Sequence, residues 1–396
     1  MAVLTINAGS SSIRFAFYGP GLPLAKLSDG KIERIGLPDT SLTVHEPHGK
    51  VARRVPLDAS DFRAAVGAFA KWLESQPLFA DVTAVGHRVV HGLKRTHPER
   101  VTTELVADLR AITPYDPEHM PQELALIEAV SAKFPHLPQV ACFDTAFHRT
   151  MPRVATLLPI PRCYESKGLQ RYGFHGLSYT YLLQELERRG DPAATRGRVV
   201  FAHLGSGASL AAVRDGQSVD TSMGFTPTGG FPMSTRSGDL DPGGLNYLAR
   251  TESMDTAALE QMVNHRSGLV GISEISPDVR DLLARENDDV RAAEAVAVFC
   301  YQVKKWVAAF AGALGGLDTL VFAGGIGENS APIRARICEG LQFLGLELNE
   351  ARNRQNAPLI SHDARPVTVR VIPTDEESVI ARMTLEALEA HHRGNA

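Results

Sequence analysis

The sequence predicts an α/β protein made of two related domains, and three observations predict it. Two short Gly/Ser turns, Asn7-Ala8-Gly9-Ser10-Ser11-Ser12 and His203-Leu204-Gly205-Ser206-Gly207-Ala208-Ser209, each join two apolar strand patterns. Farther along each half, an apolar strand runs into a glycine-containing segment: Gly86-His87-Arg88-Val89-Val90-His91-Gly92 in the first, Ala323-Gly324-Gly325-Ile326-Gly327-Glu328-Asn329-Ser330 in the second. Strand and helix patterns alternate around these landmarks.

The elements follow in order. Strands are expected over residues 3–6 and 13–17, with strand-like pieces at 32–35 and 42–44. Asp58 or Ser60 is placed to cap a helix reaching residue 74, since Phe62, Val66, Phe69, Ala70 and Leu73 share one helical face. A buried strand covers 82–85, a helix 121–134, and a strand 139–143 that ends at Asp144. The Pro-rich region 151–162 is the best linker candidate, which puts domains at 1–150 plus 377–396 and at 151–376. The second half repeats the order: strands 198–202 and 210–213, a helix 291–314, a strand 319–322 and a helical pattern over 332–340. The tail, 391–396, reads as frayed.

Composition limits the function classes. The 396 residues are 44% hydrophobic and 22% charged, the balance of an ordinary globular protein. With 41 Lys plus Arg against 45 Asp plus Glu and no basic block, nucleic acid has no electrostatic footprint. Cys142, Cys163, Cys300 and Cys338 are far apart and fit reduced thiols, not a disulfide or zinc framework. The first residues lack a secretory pattern, and the longest apolar stretch, 306–317, is too short to span a bilayer. A cytoplasmic location with no membrane partner is expected.

The chemistry-bearing residues sit at strand ends. Glycine lets backbone approach an anion, while hydroxyls and peptide N–H groups donate to phosphate oxygens, so the two Gly/Ser turns suit a nucleotide between the domains. An ordinary hairpin turn uses the same residues. The segment Gly324, Gly325, Ile326, Gly327, Glu328, Asn329 fits a phosphate-facing strand end, although it is neither a Walker A loop nor the dinucleotide fingerprint. Arg88 and Arg236 lie in polar, glycine-flanked loops and present forks matched to phosphate or carboxylate; for Arg236, a salt bridge to Asp239 or Asp241 is the plainer alternative. Asp144 suits an orienting or proton-accepting carboxylate, or a helix cap. His175 is flanked by Gly173 and Gly176, and Glu376 suits magnesium or a solvated helix start.

Together these motifs closely resemble the acetokinase family, within the superfamily of acetate and sugar kinases, heat-shock chaperones and actin. The resemblance runs in order from Thr5 to Arg382 and includes Phe143-Asp144-Thr145-Ala146-Phe147-His148, Tyr172-Gly173-Phe174-His175-Gly176, Thr235-Arg236-Ser237-Gly238-Asp239 and Ile372-Pro373-Thr374. It implies two duplicated actin-like ATPase (ribonuclease H-like) domains with an interdomain cleft, and a homodimer. It implies reversible, magnesium-dependent, direct in-line transfer of the γ-phosphoryl of ATP to acetate, giving acetyl phosphate and ADP, with manganese able to replace magnesium. By the same resemblance Asn7 and Glu376 serve the metal, Arg88, Val90, Phe174 and Arg14 the carboxylate, and Asp144, His175 and Arg236 catalysis. His203, Leu204, Gly205, Ser206, Gly207, Asp278, Val279 and Arg280 hold the nucleotide with the 324–329 segment.

Because a carboxylate acceptor is ionised at neutral pH, Asp144 is expected to position, directly or through magnesium, more than to act as a base. Three departures stand out: Arg14 replaces the usual Lys, Ser206 the usual Asn, and Gly229-Gly230-Phe231-Pro232-Met233-Ser234 the usual run before Arg236. A fourth, Glu118, replaces a leucine that lines the acyl pocket, which points to a rebuilt loop or a different acceptor because an unpaired buried carboxylate is costly. The alternatives are a propionate, butyrate or other short-chain carboxylate kinase and, from another class, an actin- or chaperone-like ATP-driven binding module.

Overall fold

A computed structural model describes residues 2–9, 12–21, 23–37, 39–46, 53–363 and 365–394. Ser10 and Ser11 of the first turn and residues 395–396 of the tail lie outside the described residues. The chain divides into two units, Met1–Ala146 with Asp375–Ala396, and Phe147–Thr374.

The first unit is built on an eight-stranded sheet: β1 (Ala2–Ala8), β2 (Ile13–Gly19), β3 (Ala25–Glu33), β4 (Ser41–His45), β5 (Arg53–Pro56), β6 (Val82–Val89), β7 (Glu99–Arg100) and β8 (Gln139–Phe143). Its order is β5-β4-β3-β2-β1-β6-β8-β7, with β1, β6 and β8 parallel. The period-2 alternation of β1 explains why both faces are covered. Ala2, Leu4, Ile6 and Ala8 enter one core with Phe15, Phe69 and Leu126, beneath helices Phe62–Glu74 and Met120–Lys133. Val3 points the other way, to Ala16, Tyr18 and Ala381 of the C-terminal helix Glu376–Gly394. Asn7 shares Val3's parity and therefore the C-terminal helix side. The cap of helix Phe62–Glu74 is Asp61, which accepts from Ala64 N–H at 2.8 Å, and not Asp58 or Ser60. The C-terminal helix continues through Gly394, so the backbone of 391–394 is helical where fraying was expected.

Gly86 shows how close that helix lies. A methyl group at this position would meet Thr384 Oγ1 at 2.2 Å and Ile380 Cγ2 at 2.6 Å. Gly86→Ala is therefore expected to destabilise by about 1–3 kcal/mol through overpacking, a fall in Tm of about 3–10 °C by differential scanning calorimetry. An unchanged Tm would mean that the helix moves away at no cost.

The second unit has five strands, β9 (Arg198–Leu204), β10 (Ala208–Arg214), β11 (Gln217–Thr221), β12 (Thr319–Ala323) and β13 (Thr368–Val371), ordered β11-β10-β9-β12-β13. Helix Gly176–Arg188 covers one face through Tyr179, Leu182 and Leu186, which pack on Val199, Phe201 and Val321. The long helix Val290–Leu314 packs against β9 and β10. This order repeats β3-β2-β1-β6-β8 of the first unit: an antiparallel meander of three strands, then two strands parallel to its first. The duplication expected from the paired turns is thus present in the topology. The Pro-rich 151–162 region lies inside the second unit.

Candidate active site

In the first unit, four predicted residues converge at the carboxyl ends of β1, β6 and β8, where open α/β sheets bind ligands. The parallel register sets Ile6 beside His87 and Arg88 beside Cys142, which brings Asn7 level with Arg88 and puts Asp144 two residues beyond Arg88's partner. Arg88 Nη2 and Nε donate to Asp144 Oδ2 at 2.7 and 3.2 Å, and Nη1 donates to the Ala8 carbonyl at 3.3 Å. Asn7 Nδ2 donates to Glu376 Oε2 at 3.0 Å, so the metal pair of the sequence reading is in contact. Arg14 is exposed and is the cross-strand partner of Asn7, which puts both side chains on one face of the sheet.

Electrostatics make this a strained charge cluster. Burial opposes the charge on Arg88, but Asp144, Glu123 and Glu376 together raise its pKa. Burial, reinforced by the negative charge of Asp144, pushes the Glu376 carboxyl up to about 7. The sequence reading missed Glu123, whose Oε2 accepts from the Val90 amide at 2.9 Å and whose Oε1 lies 3.5 Å from Arg88 Nη1. Val90 is itself buried. Glu118 is half-buried in the turn where Asp116 Oδ1 accepts the His119 amide at 3.1 Å and meets His119 Nδ1 at 2.9 Å.

Beneath the site two histidines are buried. Burial lowers both His87, which contacts Gln139 at 2.7 Å, and His91 to about 4. A depressed folded-state pKa means stability present above the unfolded value near 6.5 and lost as pH falls toward 4, up to ~3 kcal/mol for each histidine. Glu376 and Glu123 are raised, so their contribution has the opposite sign: it falls from the ordinary carboxylate range near 4.5 until pH has passed about 7 and 8. Between about pH 4.5 and 6.5 the two histidines and the two carboxyls offset each other, so the metal-free protein is expected to hold a broad Tm maximum there and to decline from pH 6.5 to about 8, in a thermal-melt series from pH 4.5 to 9. A Tm that rises steadily from pH 6 to 9 would contradict these assignments.

In the second unit, His175 precedes helix Gly176–Arg188 with φ 59°, a left-handed conformation that a non-glycine residue holds only where its surroundings fix it. Its Nδ1 lies 2.9 Å from Ser209 Oγ, which is 2.5 Å from Tyr179 OH, and its ring stacks on His203 with centroids 4.3 Å apart. His203 Nδ1 in turn meets Ser178 Oγ at 2.8 Å. A methyl group placed on Gly207 would be 3.5 Å from both His175 Nε2 and Arg236 Nη1, so the second Gly/Ser turn, the histidine and the arginine converge. Arg236 is half-buried and Nη1 donates to the Pro227 carbonyl at 3.3 Å. Asp239 accepts the Gly230 amide at 2.9 Å, and Asp241 caps helix Pro242–Thr251. Phe174 is buried and its carbonyl meets His148 Nε2 at 3.1 Å.

The second glycine segment differs from the loop expected: Gly324–Asn329 is a short helix. Gly324 has φ 73°, and any side chain there would meet the Leu204 backbone at 2.7–3.0 Å, which locks this helix against the end of β9. Arg334, also missed, is fully buried and donates to the Gly327 and Glu328 carbonyls, to Asn353 Oδ1 and carbonyl, and to Asn356 Oδ1. All its donors meet neutral oxygens, so burial lowers its pKa to about 10. Glu328 Oε1 accepts the Thr374 amide at 3.2 Å, and the exposed Asn329 donates to the Gly325 carbonyl at 2.9 Å. Asp278 caps helix Val279–Arg285 and pairs with the exposed Arg280 at 2.5 Å, both contacts being local.

Twin units of this topology form the actin-like ATPase fold, and the relatives that share it across the whole chain make this a phosphotransferase. A sequence model of the Acetokinase family matches residues 2–382. The chain is 43% identical over 399 residues to an acetate kinase from Methylocella silvestris (98% of each chain), and 43% identical over 388 residues to a propionate kinase from Citrobacter rodentium (96% of this chain, 95% of that one). The crystal structure of Porphyromonas gingivalis acetate kinase superposes with a TM-score of 0.87 at 35% identity, covering 98% of this chain and 99% of the other. The chain belongs to the acetokinase family, and it is a kinase that transfers phosphate to a carboxylate, with ATP and ADP as co-substrates. Among the described residues no helix is long and apolar enough to cross a membrane.

Proposed function

We propose that this chain is an acetate kinase that moves the γ-phosphoryl of ATP directly and in line to acetate, reversibly, in the cytoplasm and as a homodimer. The observation that carries the reading is the Arg88 guanidinium, held by Asp144 at the carboxyl ends of β1, β6 and β8 with its side chain 13% exposed. A fork fixed in this way suits an acceptor carboxylate better than a flexible lysine would. Val90, Phe174 and Arg14 complete the acceptor side; His203–Gly207 (residues 203–207), Asp278, Val279, Arg280 and residues 324–329 hold the nucleotide.

The donors around Asn7 and Glu376 fit a magnesium ion. They offer oxygen ligands of its type, and a divalent cation would offset the burial and the neighbouring Asp144 charge that hold the Glu376 carboxyl up. Magnesium commonly takes one or two protein ligands and completes its shell with substrate phosphates and water. Bound there, magnesium or manganese would neutralise charge on the nucleotide phosphates.

In the transfer an acetate oxygen forms a bond to the γ-phosphorus while the bond from that phosphorus to the ADP oxygen breaks. No proton has to move, because the acceptor is already ionised. Asp144 keeps Arg88 oriented; Arg236 and His175, which converge at Gly207, donate to the oxygens of the transferring group.

The propionate kinase from Citrobacter rodentium has the same 43% identity to this chain over a slightly shorter span, so propionate is the second reading. Hydroxamate trapping of acyl phosphate across acetate, propionate and butyrate tests both. The highest kcat/KM is expected with acetate; a higher value with propionate would transfer the assignment, and no product from any acid would remove it. Light scattering is expected to give a mass of two chains.

A further inference from the structure

Arg88 is compensated more than once. Three of its five N–H groups are engaged, two by Asp144 and one by the Ala8 carbonyl, and Glu123 stands on the Nη1 side at 3.5 Å. The side chain of Glu123 is 1% exposed, and its Oε1 has no hydrogen-bond partner, while Oε2 holds the Val90 amide at 2.9 Å. One buried carboxyl therefore touches two residues of the acceptor side of the proposed site, Arg88 and Val90. It enters from the first turn of helix Met120–Lys133, where Glu123 lies in the otherwise apolar run of Met120, Leu124 and Ile127.

We propose that Glu123 is a positioning residue for the acceptor: in its neutral form it holds Val90 and leaves Arg88 to the substrate carboxylate, and its ionisation weakens carboxylate binding by competing for Arg88. This rests on the reading that Arg88 binds the acceptor. The groups facing Glu123 are Arg88 from β6, Asp116 from the turn before its own helix, and Asp144 after β8. Two of these three are carboxylates, so a second negative charge against Arg88 is disfavoured there. Burial raises the carboxyl to about 8, with Arg88 and the Val90 amide opposing. An incoming acetate adds a further negative charge and favours the neutral acid still more.

The test is KM for acetate and for ATP from pH 6.5 to 9 at saturating magnesium, in the wild type, Glu123→Gln, Glu123→Ala and Arg88→Ala. In the wild type KM for acetate is expected to rise about tenfold between pH 7 and 9, and in Glu123→Gln less than about twofold, with KM for ATP similar in both. Glu123→Ala, which also drops the Val90 amide, should lose kcat/KM for acetate that Glu123→Gln keeps. Coincident pH profiles for wild type and Glu123→Gln, with Arg88→Ala impaired, would overturn the role of Glu123 and leave the acceptor reading standing. A normal acetate KM in Arg88→Ala would overturn both. If Glu123→Gln does not fold, calorimetry of acetate binding to the wild type at pH 8, in two buffers of different ionisation enthalpy, decides: uptake of about half a proton is expected, and none overturns the proposal.

Discussion

Arg236→Ala is expected to lower kcat several hundred-fold or more while KM for ATP changes by less than about threefold. The guanidinium and His175 Nε2 both reach the space over Gly207, where the second Gly/Ser turn, an arginine and a histidine meet. A donor that gains strength as charge develops on the transferring phosphoryl acts on the transition state more than on bound ATP. Its loss therefore falls on kcat. The expectation is checked by initial rates under saturating acetate and varied ATP. A near-normal kcat would return Arg236 to a structural role, anchoring its loop by donating to the Pro227 carbonyl.

Arg88→Ala is expected to reduce kcat/KM for the carboxylate by about a thousand-fold and to destabilise the first unit by about 3–5 kcal/mol. Two effects add. The acceptor loses its fork, and Asp144 and Glu123, each with a side chain 1% exposed, lose the cation between them. Glu376, already pushed up to about 7 with Arg88 as an opposing influence, should rise further and weaken the magnesium dependence. Arg88→Lys should recover stability more than activity, because a point charge cannot make the Nε and Nη2 pair to Asp144 Oδ2. Urea unfolding together with acetate kinetics separates the two effects. Equal recovery of both by lysine would mean that charge alone matters.

Much of this arrangement was legible in the sequence because strand ends and glycine turns leave local marks. Asn7, Arg88, Asp144, His203 and Gly324 each stand where an apolar run stops, and in the fold those stops are the carboxyl ends of parallel strands. The repeated strand order was visible in the two Gly/Ser turns. The 324–329 segment read as a loop because three glycines lower helix propensity; it is helical because Gly324 lets it pack on Leu204 and Arg334 ties down its last carbonyls. Glu123, Ser209, Tyr179 and Arg334 hold the site in place through side chains, yet only Ser209, in its turn, had a signal. Glu123 and Arg334 sit inside helical patterns, where a charged residue ordinarily faces water, and their partners are brought to them only by packing.

The most direct measurement is phosphorus NMR of the purified protein with ATP, magnesium and acetate, followed by the reverse reaction from acetyl phosphate and ADP. An acyl phosphate resonance that grows one for one with ADP, and ATP formed in the reverse direction, is the predicted result. ATP converted to inorganic phosphate at the same rate with and without acetate, and no ATP from acetyl phosphate, would contradict a carboxylate kinase.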